Sequence, residues 1–283
     1  MSDRFEAAYN ELLTLDATER QEALDRHLPW GTPASPAGAT NEHVLVNEQY
    51  VIGYDDDLRI PLWVAYRLRD SDVAASRERT ECFRRDPRLT MTAAAFCADY
   101  AEPLFDRGHM VPNADMERSE AAMINTYMFL NMVPQRARFN QQIWAHLEGR
   151  VRAWTLVQGE IYVITGAVFD QDGDGARDAD TAATRMASNN GDMRVAVPTH
   201  YYKILARQLP NERIDTLTIL LVHDNTSAPS GSTARDQLLT MRICSINTIE
   251  GLTGIDFFPG LDPLTGRTEA IVQQFQATAL WPR

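Results

Sequence analysis

The sequence has few cysteines and no long hydrophobic run, and each scarcity excludes a class of protein. Cys82, Cys97 and Cys244 cannot all pair within one chain, and their spacing matches no zinc site. We therefore expect reduced, mostly buried thiols. The longest apolar stretches, such as residues 217–222, fall far short of the roughly 20 residues that span a bilayer. The sequence thus predicts no membrane partner.

The first residues also lack the marks of a secretory signal. They show neither a basic start followed by an apolar stretch nor a small-residue cleavage site. Together with the expected reduced thiols, this predicts a cytoplasmic protein, or one exported by a route without a classical signal peptide.

Lysine is almost absent, since Lys203 is the only lysine among 27 basic residues. The 39 acidic residues give a net charge of −12, which argues against a protein that coats nucleic acid by bulk attraction. Residues 77–152 are an exception, with 11 arginines, 10 acidic residues and a net charge of +1. Planar guanidinium groups suit phosphate oxygens, although the base composition of the genome would explain the arginine bias equally well.

The chain has 283 residues, 44% of them hydrophobic, which is enough for one large domain or two small ones with a buried core. Residues 1–28 predict two short amphipathic helices, the second begun by a capping box of Asp16 and Glu19. A linker rich in Pro, Gly, Ala and Thr follows. We therefore expect a helical appendage over residues 1–41 and a main domain over residues 42–283.

The pattern of the main domain favours strands over helices. Apolar runs bounded by turn residues predict strands at residues 49–54, 60–68, 161–165, 193–197, 201–206 and 216–222. Apolar residues at helical spacing predict one long helix over about residues 140–156. Strands and helices do not alternate regularly, so we predict an α+β fold with a mostly antiparallel sheet.

The residues that can carry chemistry cluster in three segments. These are residues 106–112 (DRGHMVP), 129–135 (FLNMVPQ) and 139–148 (FNQQIWAHLE). Hydrolysis of a phosphodiester requires an activated water, a counter-charge for the phosphate and help for the departing oxygen. His109 fits the first need, because a neutral imidazole can take a proton from water near pH 7.

The other polar residues of these segments fit the remaining needs. The Asn140 amide oxygen is a ligand for Mg²⁺ that does not neutralise the ion's charge. Glu148 lies eight helical residues further on, about 12 Å along the axis, so we expect it to hold a metal-bound water instead of the ion. Arg107 shares one face of an extended segment with His109, where it can grip the phosphate or, alternatively, pair with a carboxylate.

These segments resemble the DNA/RNA non-specific endonucleases, the ββα-metal or His-Me finger family. The likeness extends over about residues 45–262. It implies a central antiparallel sheet flanked by helices, and hydrolysis of DNA, RNA or both with Mg²⁺, or with Mn²⁺ in its place. Members such as endonuclease G are homodimers, so the resemblance also implies a homodimer.

The resemblance adds roles for residues that the pattern alone leaves open. It implies that Asn131 orients the catalytic histidine or the phosphate, where the alternative is an asparagine that only stabilises a turn. It also implies a second arginine for the phosphate, which we assign to Arg79, with Arg77 as the alternative. Asp106 is expected to be structural.

A second metal site is suggested by alternating aspartates near a glycine. Asp170, Asp172, Asp174 and Asp178 have the spacing of a Ca²⁺-binding loop, but Thr181 stands where a full loop would have its bidentate glutamate. The alternative is an acidic, solvated insertion.

The sequence therefore predicts a metal-dependent endonuclease with little sequence preference. Two rivals use the same scaffold: a hydrolase of small phosphodiesters such as signalling nucleotides, and a catalytically silent module that binds nucleic acid or protein. Because a non-specific nuclease endangers its own cell, we also expect an inhibitor or an activating partner, with residues 1–41 as a candidate control segment.

Overall fold

The computed structural model describes residues 15–35, 42–78, 82–187, 194–261 and 269–282. Its strands are β1 (Glu42–Val46), β2 (Val51–Asp55), β3 (Ile60–Arg69), β4 (Phe105–His109), β5 (Met132–Arg136), β6 (Glu160–Val168), β7 (His200–Gln208), β8 (Ile214–Val222) and β9 (Ile243–Cys244). Its α-helices are α1 (Ala17–His27), α2 (Asp70–Val73), α3 (Glu120–Asn125), α4 (Ala145–Gln158), α5 (Ser232–Thr240), α6 (Ile246–Thr253) and α7 (Glu269–Gln274).

Within these residues the core is a seven-stranded antiparallel sheet in the order β1-β2-β3-β6-β7-β8-β9. Consecutive residues of β2, β3 and β7 are buried, which shows that both faces of the sheet are covered. Helices α1 and α4 pack on β3, and α6 packs on β6. The predicted α+β class with an antiparallel sheet is confirmed. Of the described helices, none is both long and apolar enough to cross a membrane.

A second, two-stranded unit lies beside this sheet. β4 and β5 pair antiparallel, with Arg107 opposite Pro134 and His109 opposite Met132. The chain leaves β5 and enters a π-helical turn, Phe139–Trp144, that continues directly into α4. Two strands and a helix thus bring the three segments singled out in the sequence together.

The N-terminal segment is packed on the sheet wherever it is described. α1 begins with the predicted capping box of Asp16 and Glu19. Trp30 is buried and packs edge-on against Tyr162 and Phe258. The first predicted helix and residues 36–41 lie outside the described residues, so the proposed division at residue 41 stays a prediction.

Two other elements differ from the sequence-based expectation. The described part of the strand predicted at 193–197 makes only an isolated bridge, between Ala196 and Arg185, because Ala196 donates its N–H to the Leu58 carbonyl in a turn instead of to a strand. The predicted helix at 140–156 begins one residue earlier and as a π-turn. Such turns shift the side chains that follow around the helix axis.

Gly108 is required by close packing. A Cβ atom at this position would overlap the buried Gln135 side chain on β5. We expect Gly108→Ala to lower the free energy of unfolding by about 1–3 kcal/mol, as overpacking does. Gly149 is the matched control, because a Cβ there meets only Arg152 Nη2 at 3.9 Å within helix α4. Gly149→Ala should raise the same quantity by about 0.5–1 kcal/mol. Urea unfolding measures both, and a shared sign would contradict this account.

Two buried histidines are held in the neutral state. Nδ1 of His27 accepts the Arg67 N–H at 3.0 Å, and Nε2 of His223 accepts the Arg136 N–H at 2.8 Å. Burial lowers the pKa of each imidazole to about 4. Protonation would remove the acceptor lone pair in both cases. The stability that these groups contribute is therefore complete above about pH 6.5 and is lost as the pH falls toward 4.

We expect the free energy of unfolding to fall between pH 6.5 and 4, by up to about 1.4 kcal/mol per pH unit for each of the two histidines. Urea unfolding at several pH values measures this slope. His223→Gln should reduce the slope even if it destabilises the protein. His43→Gln is the control, because His43 is exposed and pairs with Asp56. An unchanged slope in His223→Gln would show that other groups cause the acid sensitivity.

Candidate active site

A cleft of about 370 Å³ lies beside β4 and the start of α4. It is lined by Arg107, His109, Pro112, Asn113, Ala114, Glu117, Asn140, Gln141, Ala145, Glu148 and Arg152. The structure therefore brings four of the predicted site residues together: His109, Arg107, Asn140 and Glu148. Arg107 and His109 come from β4, Asn140 comes from the π-turn, and Glu148 comes from α4. These elements meet because β4, β5 and the π-turn fold as one unit.

His109 ends β4 and is half-buried. Its ring meets the wholly buried Tyr127 edge-on at 5.2 Å between centroids, and Phe83 lies 6.3 Å away on another side. This aromatic surround restricts the ring to few orientations. His109 lines the cleft, so the residue lies next to any group bound there.

Asn131 is completely buried and does not line the cleft. Its Oδ1 accepts the Val111 N–H at 2.9 Å, and its Nδ2 donates to the carbonyls of Val111 and Thr126. Its own carbonyl accepts the Met110 N–H. Asn131 thus fixes the backbone immediately after His109, and its side chain is committed to main-chain groups instead of a phosphate.

Asp106 determines which way the Asn140 amide faces. The Asp106 carboxylate accepts hydrogen bonds from Asn140 Nδ2 and Gln141 Nε2, both at 2.9 Å. An ionised carboxylate can only accept, so the nitrogen of each amide must face Asp106. The Asn140 oxygen is consequently turned away from Asp106. Because Asn140 lines the cleft, this oxygen is available to a cation bound there.

Glu148 has a different environment from an ordinary surface carboxylate. Burial raises its pKa above the usual range, and the positive charges of Lys203 and Arg152 oppose that rise. Arg152 Nη1 donates to the buried Asp115 at 2.9 Å, and the Tyr66 hydroxyl donates to the other oxygen of Asp115 at 2.7 Å. The positive charges of Lys203 and Arg152 thereby partly neutralise the negative charge of Glu148 and Asp115.

Lys203, the only lysine of the chain, is completely buried in β7. Its Nζ lies 4.4 Å from the centroid of the Trp144 ring and donates to Thr165 Oγ1 at 3.3 Å. Burial lowers its pKa, while the negative charge of Glu148 opposes that fall. The ammonium therefore provides a fixed positive charge beneath the helix that carries Glu148.

Arg107 is exposed on the same face of β4 as His109, as the alternation of an extended strand predicts. Its guanidinium carbon lies 4.0 Å from the centroid of the Phe83 ring, so stacking holds the group without neutralising it. Of the two candidates for the second arginine, Arg79 lies outside the described residues. Arg77 donates to the Arg118 carbonyl, and its N–H donates to Glu117.

Several of the residues that form the site were not found in the sequence. Tyr127 packs against His109, and Phe83 packs against both His109 and Arg107. Arg152 and Asp115 lie close to Glu148. Phe83 directly follows the arginine-rich segment, so its position was a weak signal. Arg152 had a signal in its spacing, because it lies four residues after Glu148 on the same helix. Nothing in the spacing of Tyr127 and Asp115 connects them to the site, because they reach it only through tertiary contacts.

The proposed calcium loop lies apart from this cleft. The structure brings the carboxylates of Asp170, Asp172 and Asp174 within 4.8 Å of one another. The carboxylate of Asp178 lies outside this group, and one of its oxygens accepts the Gln171 N–H.

Comparison with known proteins agrees with the geometry. The sequence model of the DNA/RNA non-specific endonuclease family matches residues 33–264. Human mitochondrial endonuclease G is 31% identical over 225 residues, which cover 79% of this chain and 72% of that protein. Nuclease C1 of Cunninghamella echinulata is 34% identical over 200 residues, or 64% of this chain and 76% of that protein.

A third relative, mitochondrial nuclease EXOG of Danio rerio, is 32% identical over 216 residues, which cover 75% of this chain and 60% of that protein. The family match extends over most of the chain and includes every segment that forms the cleft. The chain belongs to the DNA/RNA non-specific endonuclease family.

Proposed function

We propose that this protein is a metal-dependent nuclease that hydrolyses phosphodiester bonds in DNA, RNA or both. One observation carries the proposal: His109, at the end of β4, and Asn140, in the π-turn before α4, line one cleft. Membership of a family of non-specific endonucleases supports it, and so do relatives that are named nucleases.

His109 acts as the general base. A water that attacks phosphorus must lose a proton, and a neutral imidazole at the cleft wall can accept it. Tyr127 and Phe83 restrict the ring, while Asn131 fixes the main chain that follows. These three residues act on the substrate only through the position that they give to His109.

The donor set of the cleft fits a hard divalent cation. Asn140 presents an amide oxygen whose direction is set by Asp106, and Glu148 places a carboxylate in the same cleft. Mg²⁺ prefers such oxygen ligands and retains several waters, so we assign Asn140 as a direct ligand and Glu148 as a group that holds water near the ion. When bound, Mg²⁺, or Mn²⁺ in its place, stabilises negative charge on the phosphate and the departing oxygen.

Arg107 supplies the fixed positive charge for the phosphate. Its guanidinium is exposed at the cleft and stacked on Phe83, which leaves its N–H groups directed toward a bound anion. The general base, the cation and the arginine all act on the sugar-phosphate backbone. None of them contacts the edges of the nucleobases. Binding of this kind carries little sequence information, which agrees with a nuclease of low specificity.

The first test is cleavage of supercoiled plasmid and of RNA with Mg²⁺ or Mn²⁺, each with and without EDTA. We expect cleavage that EDTA abolishes, and we expect His109→Ala to lower the rate by about 10²–10⁴-fold, the usual contribution of a general base. His43→Ala is the matched control, because His43 is an exposed histidine on β1 outside the cleft.

The same assay separates the rival functions. A small diester such as bis(p-nitrophenyl) phosphate that is cleaved while plasmid and RNA stay intact would identify a hydrolase of small phosphodiesters. Binding of nucleic acid without any cleavage would identify a silent module. The homodimer and the regulatory partner stay predictions, which sedimentation and toxicity assays with and without residues 1–41 can check.

The cation assignment predicts two different responses to mutation. Asp106→Asn offers Asn140 both a donor and an acceptor, so the amide is free to turn. We expect half-maximal activity to need about 10-fold more Mg²⁺, with the rate recovered at saturation. Asn140→Ala removes the ligand itself and should not recover.

Gln141→Ala is the control for the first variant, because it removes the other hydrogen bond to Asp106 and leaves Asn140 held. Its Mg²⁺ requirement should stay within about threefold of the wild type. A titration that gives the same requirement for Asp106→Asn and the wild type would show that Asp106 does not orient the ligand.

A further inference from the structure

The loop that follows β6 contains a buried carboxylate, Asp170, with one oxygen that accepts no hydrogen bond from the described residues. Asp170 is only 9% exposed, and among the described residues its buried Oδ1 has no hydrogen-bond partner. An ionised carboxylate buried in this way is strongly disfavoured unless a positive charge or a donor compensates it. The other acidic side chains of the loop increase the problem, because they bring more negative charge to the same point.

Those side chains are Asp172 and Asp174, both exposed. One oxygen from each, together with one from Asp170, lies within 4.8 Å of the others. Oxygens that bind one Ca²⁺ at about 2.4 Å from opposite sides stand about 4.8 Å apart. The three carboxylates therefore already lie close enough together to share one such ion.

We infer that the carboxylates of Asp170, Asp172 and Asp174 bind a Ca²⁺ ion at a site separate from the cleft. The positions of the three aspartates are the first, third and fifth of a calcium loop, and Gly175, with φ of +86°, makes the turn at the sixth. None of the three lines the catalytic cleft, so this site does not depend on the nuclease function.

The rest of the loop sets the affinity and the choice of ion. Thr181 replaces the bidentate glutamate at the twelfth position, and Asp178, which lies outside the group of three carboxylates, accepts the Gln171 N–H with one oxygen. With three carboxylates we expect a dissociation constant of about 10⁻⁴ M for Ca²⁺. Mg²⁺ requires near-octahedral geometry and dehydrates reluctantly, so it should bind more weakly here.

The loop is anchored to the edge of the sheet through Arg177. This side chain forms ion pairs with Glu42 of β1 at 3.2 Å, Asp55 of β2 at 3.4 Å and Asp180 at 3.1 Å. An ion that orders the loop also holds Arg177 against these strands. The role of the site is therefore structural, and Ca²⁺ raises the stability of the folded protein.

The experiment is calorimetric titration and thermal unfolding of the whole, EDTA-treated protein with CaCl₂. We expect binding heat and a rise in Tm of about 2–4 °C at 1 mM Ca²⁺. Asp170→Asn should weaken binding at least 10-fold and abolish the rise. Without metal its Tm should equal or exceed that of the wild type, because the unsatisfied buried charge is gone.

Three further variants make the result specific. Asp178→Asn makes the same change of charge in the same loop, and its amide oxygen can still accept the Gln171 N–H, so its affinity should stay within about threefold of the wild type. Asp172→Asn, on an exposed residue, replaces Asp170→Asn if that variant does not fold. Asn140→Ala should retain the Ca²⁺ response, because it changes only the cleft.

Three outcomes would overturn the site. The wild type could show neither heat nor a change in Tm at millimolar Ca²⁺. Asp178→Asn could lose affinity as much as Asp170→Asn, which would show attraction by diffuse charge. The response could disappear in Asn140→Ala, which would place the ion in the cleft.

Discussion

The hydrogen bonds from Asn140 and Gln141 to Asp106 are the contact on which the site depends. They join the strand that carries His109 to the turn that begins α4, so the proposed base and the proposed cation ligand have a fixed relation. They also set the direction of an amide that could otherwise present its nitrogen to the cleft. Asp106, which does not line the cleft, thereby sets the relative position of two residues that do.

The residues around the cleft stabilise charged groups at positions where burial makes a charge energetically costly. Arg107 is stacked on Phe83 and forms no ion pair with another described residue, so its positive charge stays available. On the opposite wall, the positive charges of Lys203, which is buried, and of Arg152, which lines the cleft, oppose the rise in the pKa of Glu148 that burial causes. A buried cation and a buried carboxylate stabilise each other only while both are present. This couples the sheet, which carries Lys203, to the helix, which carries Glu148.

The sequence predicts the residues proposed to carry the chemistry better than it predicts the residues that hold them in place. Arg107 and His109 could be predicted to share one surface because side chains two residues apart on a strand point the same way, and the structure places Asn140 in the same cleft. Phe83, Tyr127 and Asp115 could not, because folding alone brings them to the cleft. Spacing alone does not distinguish Asp178 from the other three aspartates, since a loop's periodicity does not show which carboxylate oxygens lie close together. The β2-β3 hairpin was predictable because apolar runs flanked a short acidic turn, whereas the described residues of 193–197 extend beside a loop with no strand to complete a ladder.

The lone lysine has a practical consequence for anyone who handles this molecule. Its amine lies in the middle of β7 with no exposed surface, so acylating reagents, aldehyde cross-linkers and enzymes that conjugate lysine find no side-chain target on the native fold. Labelling of this residue requires the sheet to open, and its rate therefore reports that opening directly. Modification of this one lysine side chain thus reports opening of the sheet around β7, because such reagents do not modify the 26 arginines.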